Sequence, residues 1–394
     1  QLDDPEHPRA LFGGEGSRLE PVGLLIESPM LLLREGCRNV SVAFRLTEES
    51  VVFFKGLNGE VVNGQRCEDQ EIVYKLLNDA FYLEISTDEG WTVVSDYVLN
   101  YENEDCLRLI FRLQEDFPAT TPCSSDKHGM NTVKPALRIL MNREAWLFPY
   151  SWAGQVRFDE ITLKTEVAGI SDLQLYNAGG ELDTSVPVYP FGVQPDKGAW
   201  FVFGNYEMAS KTLKKVELMS QWQQLPEHPE GFYGYYQGYG AGIDNCSFRV
   251  RMEWLAGKKW QAEAGNIQYL FTPADGSPLL RNAPIPAATC LTCRISGTLP
   301  PVAVSEDSYV YGRSRSGFIK VVLAGPEVGF GHAAYRQLFT EVMMQNSRRK
   351  HPLPPPVLPV SPMVDHWELN YVAEETVCLA VGQAESGTKL YHIC

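Results

Sequence analysis

"NVSVAFRL", residues 39–46, sets Val40, Val42, Phe44 and Leu46 in strict alternation with Ser41, Ala43 and Arg45. A period of two sends every second side chain to the same face, so the stretch predicts a strand with one buried side. The signature recurs along the chain. Residues 81–86, 91–99, 106–113, 137–141 and 161–176 read as strands, separated by turn-rich stretches such as Asp88-Glu89-Gly90. After Gly179-Gly180 it restarts with Trp200-Phe201-Val202-Phe203, with Val216, Leu218 and Trp222, and with Phe248, Val250, Met252 and Trp254. Strands at 268–272, 290–296, 318–323 and 367–372 complete the series.

This spacing predicts a mainly β protein of tandem antiparallel β-sandwich-like domains with a few short helices. The expected organisation is a lead-in loop over 1–20, a first sandwich-like domain over 21–178 and a second β domain over 179–331. A helix and proline-rich strap over 332–364 and the start of a further β domain over 365–394 follow. Helical spacing occurs at Ile72, Val73, Leu76 and Leu77, and again at Tyr335, Leu338, Phe339 and Val342. The second helix ends in Arg348-Arg349-Lys350, which suits the negative end of a helix dipole.

At 394 residues the chain has the length of two or three domains, and 44% hydrophobic with 21% charged residues is a folding composition. The net charge of -15 opposes a phosphate backbone or an anionic lipid surface, which argues against nucleic-acid partners. The longest apolar run, from Gly23 to Leu33, is broken by Glu27 and Pro29 and is too short for a membrane span, so no direct membrane insertion is expected. The start at Gln1 has neither an initiator methionine nor a signal-peptide pattern and reads as a cut inside a longer protein.

Nine cysteines, an odd and scattered set, point to folding in a reducing compartment. Cys290 and Cys293 form half of a zinc-ribbon pattern with no second half, so they read as small apolar residues of one strand or turn, and neither metal nor cofactor is expected. No HExxH, GxSxG or P-loop occurs, and "GYGAG" at 238–242 follows no obvious parallel strand. No catalytic residue is nominated. Sequons stand at Asn39 and Asn245.

Two stretches stand apart from this pattern. "PVYPFGVQPDKGAWFVFGN", 187–205, stiffens the backbone with prolines beside a sticky apolar strand, and "GFYGYYQGYG", 231–240, carries five aromatic rings on a glycine-rich backbone. The first reads either as a clamp between domains or subunits or as a crossing between two sheets. The second reads as a packing or interface surface, or as a sugar-stacking platform.

Five stretches taken together carry a resemblance. They are "VGLLIESPMLLLREGCRNVSV", "FYLEISTDEGWT", the segment at 187–205, "VGFGHAAYRQL" and "LPPPVLPVSPMVDHWELNYVA". In this order they resemble the middle of the large baseplate J-like wedge subunits of contractile injection systems, the phage-tail-like particles. The matching positions are Ser28-Pro29, Gly36 to Arg38, Gly90-Trp91, Pro190 to Pro195, Phe330 to Tyr335 and Leu353 to Pro356; Cys37 and Ala199 depart from the polar residues expected there.

The resemblance implies a structural subunit without catalytic residues, repeated around a symmetric particle. Its partners would be other baseplate subunits, the central spike or hub, and sheath-proximal proteins. It would be cytoplasmic during assembly and then part of the particle. Candidate interface residues are Pro190, Phe191, Gly192, Pro195, Trp200, Tyr233, Tyr235, Tyr236, Tyr239, His332, Tyr335, Pro354, Pro355 and Pro356. The alternative is a secreted or surface β-sandwich that binds glycans through Tyr233, Tyr235, Tyr236 and Tyr239.

Overall fold

The computed structural model describes residues 22–393 apart from 58–60, 63–64, 67–75, 104, 146–148, 150–151, 154–155, 210, 241, 257–258, 296–315 and 379–387. The expected lead-in and most of the helix expected near residue 72 lie outside the described residues; 76–80 are helical.

The protein is mainly β. Its principal strands form antiparallel sheets of five, seven and seven strands. The central sheet runs Ala288–Arg294, Leu213–Gln223, Met363–Cys378, Phe158–Ile170, Cys37–Leu46, Cys106–Leu113 and Tyr97–Glu102. The alternation in 39–46 does what its period requires: Arg38, Val40, Val42, Phe44 and Leu46 are buried, whereas Asn39 and Arg45 are exposed. Register carries that face across the sheet, with Val167 opposite Arg38 and Tyr371, and Val216 opposite Tyr371. Thus one face of the sheet is buried over its width and largely apolar, with Arg38 and Thr165 among its few polar members, and the other carries Lys164, Glu166, Lys215 and Glu217.

Two further sheets cover that face side by side. The first contains Lys389–Ile393, Gly23–Glu27, Ala136–Met141, Phe81–Thr87 and Gly90–Val94. The other contains Gly180–Leu182, Gln174–Asn177, Trp200–Asn205, Gly317–Gly325, Arg249–Ala256 and Lys259–Gln261, with Ile267–Tyr269 also pairing to Arg249–Ala256. One continuous core runs beneath both.

The sheets therefore do not follow the expected division of the chain. The boundary at 178/179 is crossed, because Leu213–Gln223, Ala288–Arg294 and Met363–Cys378 join a sheet otherwise built from residues before it. The stretch 365–394 does not stand apart either. Met363–Cys378 is paired on both edges within the central sheet, and Lys389–Ile393 pairs with Gly23–Glu27. Period-two alternation marks a strand and its buried side, but the partner is chosen by which apolar faces can be covered together. Two expected strands also split, since 91–99 and 161–176 each divide between two sheets. The helix Glu48–Leu57 has no counterpart in the alternation.

A buried polar network ties the central sheet, through Tyr371, to the loop at 32–35 and to the turn after Trp200–Asn205. Glu207, after the Trp200–Asn205 strand, accepts from the backbone amides of Arg34 and Glu35 at 2.6 and 3.1 Å and from the Tyr371 hydroxyl at 2.7 Å. Lys211 donates to the Leu32 carbonyl at 2.7 Å and to the Tyr371 hydroxyl, and stands 3.9 Å from Glu207. Burial lowers the Lys211 ammonium to about 8, against the pull of Glu207, and burial next to Glu207 raises Tyr371 well above its ordinary value.

Candidate interface at the proline strap

The aromatic segment at 231–240 is built on an asparagine. Asn245 is fully buried; its side-chain oxygen accepts from the Phe232 amide at 3.0 Å, and its nitrogen donates to the carbonyls of Leu280 and Ala283 at 2.9 and 2.8 Å. That spends the amide of one of the two sequons and fixes the start of the short helix Gly231–Tyr235. Phe232 then drops into a cluster with Phe248, Phe271 and Phe330, with ring centroids 4.5 to 6.4 Å from its own. With Phe232 below, the tyrosines that follow are carried above this cluster.

Three of them reach the strap. Tyr235 and Tyr239 donate to the carbonyls of Leu358 and Val357 at 2.9 and 2.7 Å. Tyr236 donates to the Phe330 carbonyl at 2.7 Å and accepts from the Val360 amide at 3.0 Å. The strap's prolines and their fixed φ leave few backbone amides, so its carbonyls need outside donors, and phenols on a rigid base supply them. Burial raises the phenol pKa of Tyr236 and Tyr239, keeping both as neutral donors.

The other side of the strap is held by the 187–205 segment. Val188 and Val364 exchange both backbone hydrogen bonds at 2.9 Å, and the Ser361 hydroxyl donates to the Val193 carbonyl at 2.5 Å. Pro190, Phe191 and Pro195 are buried; Gly192 closes a turn by donating to the Tyr189 carbonyl at 2.9 Å. Pro195 accepts from the Phe330 amide at 3.1 Å. Gly329 and Gly331 make this approach possible. Both have positive φ, and a Cβ on Gly329 would lie 2.5 Å from the Pro195 carbonyl oxygen.

The long helix His332–Asn346 leaves this corner. His332 is buried with Nε2 3.2 Å from the Val360 carbonyl, which its N–H form can donate to; burial lowers its pKa despite that bond. Tyr335 is half-buried and stacks with Phe339 at 5.8 Å. At the far end the Asn346 side chain donates to the Leu353 carbonyl at 3.0 Å and accepts from its amide at 2.7 Å, closing the turn from helix to strap. Pro354 and Pro355 are exposed and Pro356 is half-buried. Beside them Met343, Met344, Val357 and Leu358 are exposed by 45%, 67%, 42% and 66%.

The structure thus gathers most of the predicted interface residues, from four separate stretches, into one clasp. Two stand elsewhere. Tyr233 points outward, and Trp200 lies half-buried on the outer face of its sheet, with the Lys320 ammonium 5.0 Å from its ring. The four tyrosines do not form an open platform, because Tyr236 and Tyr239 are only 2% and 7% exposed. The 187–205 segment ties elements of one chain together. Cys290 and Cys293 do share a strand, Ala288–Arg294, but an odd spacing of three puts them on opposite faces. Among the described residues no cluster of three metal-binding side chains occurs. Asn245, Asn346 and Ser361 were missed as anchors; the Asn245 sequon was the only mark on any of them.

Fold and site define a mainly β scaffold whose exposed proline strap is locked by an internal aromatic clasp. No protein-family profile matches this sequence, and no curated protein is significantly similar to it. No helix among the described residues is long and apolar enough to cross a membrane.

Proposed function

We propose that this chain acts as a structural, wedge-type component of a contractile injection system baseplate, bridging hub-proximal and sheath-proximal partners. The observation that carries the proposal is the clasp itself. Buried phenols, a buried histidine and an asparagine hold the strap and the long helix in one orientation, while Met343, Met344, Val357 and Leu358 face outward. A surface ordered before docking loses little conformational entropy on assembly. The basic run Arg348-Arg349-Lys350 beside it, on a chain of net charge -15, favours an acidic partner surface. Three of the motifs that resemble the baseplate J-like subunits, at Pro190 to Pro195, Phe330 to Tyr335 and Leu353 to Pro356, lie in or beside the clasp.

The test is co-expression of the protein with the products of its genomic neighbourhood, followed by electron microscopy with the chain labelled. Label at the base of sheathed, tail-like particles is the expected result. Complete sheathed particles formed without the protein would overturn the proposal.

A further inference from the structure

The first sheet does not close completely on the central sheet. Between them lies a cavity of about 390 Å3, walled by residues that include Phe44, Leu83, Leu99, Leu109, Phe158 and Trp152. Protein cores pack to the density of organic crystals, with few voids larger than a water molecule, whereas this volume is in the range of small-ligand sites. Apolar walls offer water few partners, so water fills such a space poorly.

One polar group in the wall is unspent. Trp152 is 6% exposed, and its indole N–H is buried without a hydrogen-bond partner. The ring is held in place, edge-on to Phe81 at 6.0 Å and stacked with Phe53 at 6.4 Å. The Tyr97 hydroxyl, also in the wall, already donates its one proton to the backbone carbonyl of Phe81, with that of Asn78 3.1 Å away. The described lining residues include Arg157 and His392 and no aspartate or glutamate.

We propose that this cavity binds an acyl chain of medium length, its hydrocarbon body between the sheets and its carboxyl or ester oxygen accepting from the Trp152 indole. The inference is independent of the baseplate reading. Isothermal titration calorimetry on the full chain with decanoic acid and with methyl decanoate tests it. Saturable one-to-one binding of decanoate is expected, and equally tight binding of the ester would point to an esterified acyl chain as the source. Trp152→Phe keeps the apolar wall and removes the donor, and it should weaken binding about five- to tenfold without altering the circular dichroism spectrum. Leu109→Trp should fill the space and abolish binding. Absence of saturable binding of both probes to the wild-type chain overturns the proposal, as does undiminished binding by a folded Trp152→Phe variant.

Discussion

The Tyr236 hydroxyl lies between Phe330 and Val360, donating to the carbonyl of one at 2.7 Å and accepting from the amide of the other at 3.0 Å. One phenol therefore satisfies two backbone groups from stretches that share no sheet. Tyr236→Phe leaves both groups without this partner in a buried site and should cost about 2–4 kcal/mol in urea unfolding. Tyr235→Phe, whose bond to Leu358 is solvent-exposed, should cost under about 1 kcal/mol. Equal effects of the two substitutions would show that the clasp does not depend on Tyr236.

Gly329 admits the Pro195 carbonyl to the place where any other residue would put its Cβ. Gly329→Ala combines that contact with a positive φ of 54° and should destabilise by at least about 2 kcal/mol, read as a lowered melting temperature. Gly265, where a Cβ would meet nothing within 4 Å, is the control, and Gly265→Ala should leave the melting temperature nearly unchanged.

His332 links the strap to pH. Burial lowers its pKa below the ordinary 6.5, so as the pH falls through that value the unfolded chain takes up the proton first. The native state binds fewer protons there, and stability must fall with pH. Asp196 and Arg336 act on the same imidazole with opposite signs, Asp196 favouring its charge and Arg336 opposing it. His332→Gln retains a donor for the Val360 carbonyl, and its unfolding midpoint should vary less than wild type between about pH 6.5 and pH 5.

Lys211 acts at the alkaline end. Its folded value of about 8 is below the unfolded 10.5, so from pH 8 upward the native state holds fewer protons and this residue's contribution to stability rises. The slope is at most about 1.4 kcal/mol per pH unit. Tyr371, raised above 10, is neutral when folded and begins to oppose the rise only above pH 10. Measured by denaturant titration, wild type should gain on Lys211→Met between pH 8 and pH 10, and parallel profiles would count against the buried ammonium.

A buried strand residue and an exposed helix residue should separate folding from assembly. Phe201 is buried against Phe191 and Trp367, with ring centroids 5.1 and 5.6 Å away, so Phe201→Ala should cost about 3–5 kcal/mol. Met344→Glu, on the exposed helix face, should leave the melting temperature unchanged and reduce co-purification with co-expressed partners. Unchanged recovery of partners with Met344→Glu would remove this face from the proposed interface.

Alternation in residues 39–46 was enough to determine a strand and its buried side, because side-chain direction along an extended chain depends only on local geometry. The helix beginning near 332 was legible from local spacing too, but not its buried side, since Phe339 of that spacing is exposed. The pairing of Met363–Cys378 with strands that begin at Leu213 and Phe158 was decided only by tertiary structure. Many strands carry interchangeable apolar faces, and their order depends on covering all of them at once. The clasp divides in the same way. Its prolines and tyrosines stand out by composition, yet whether a phenol faces solvent, sugar or a neighbouring carbonyl depends on Phe232 finding Phe248 and on Asn245 turning the chain beneath it, contacts that exist only once distant segments have folded together.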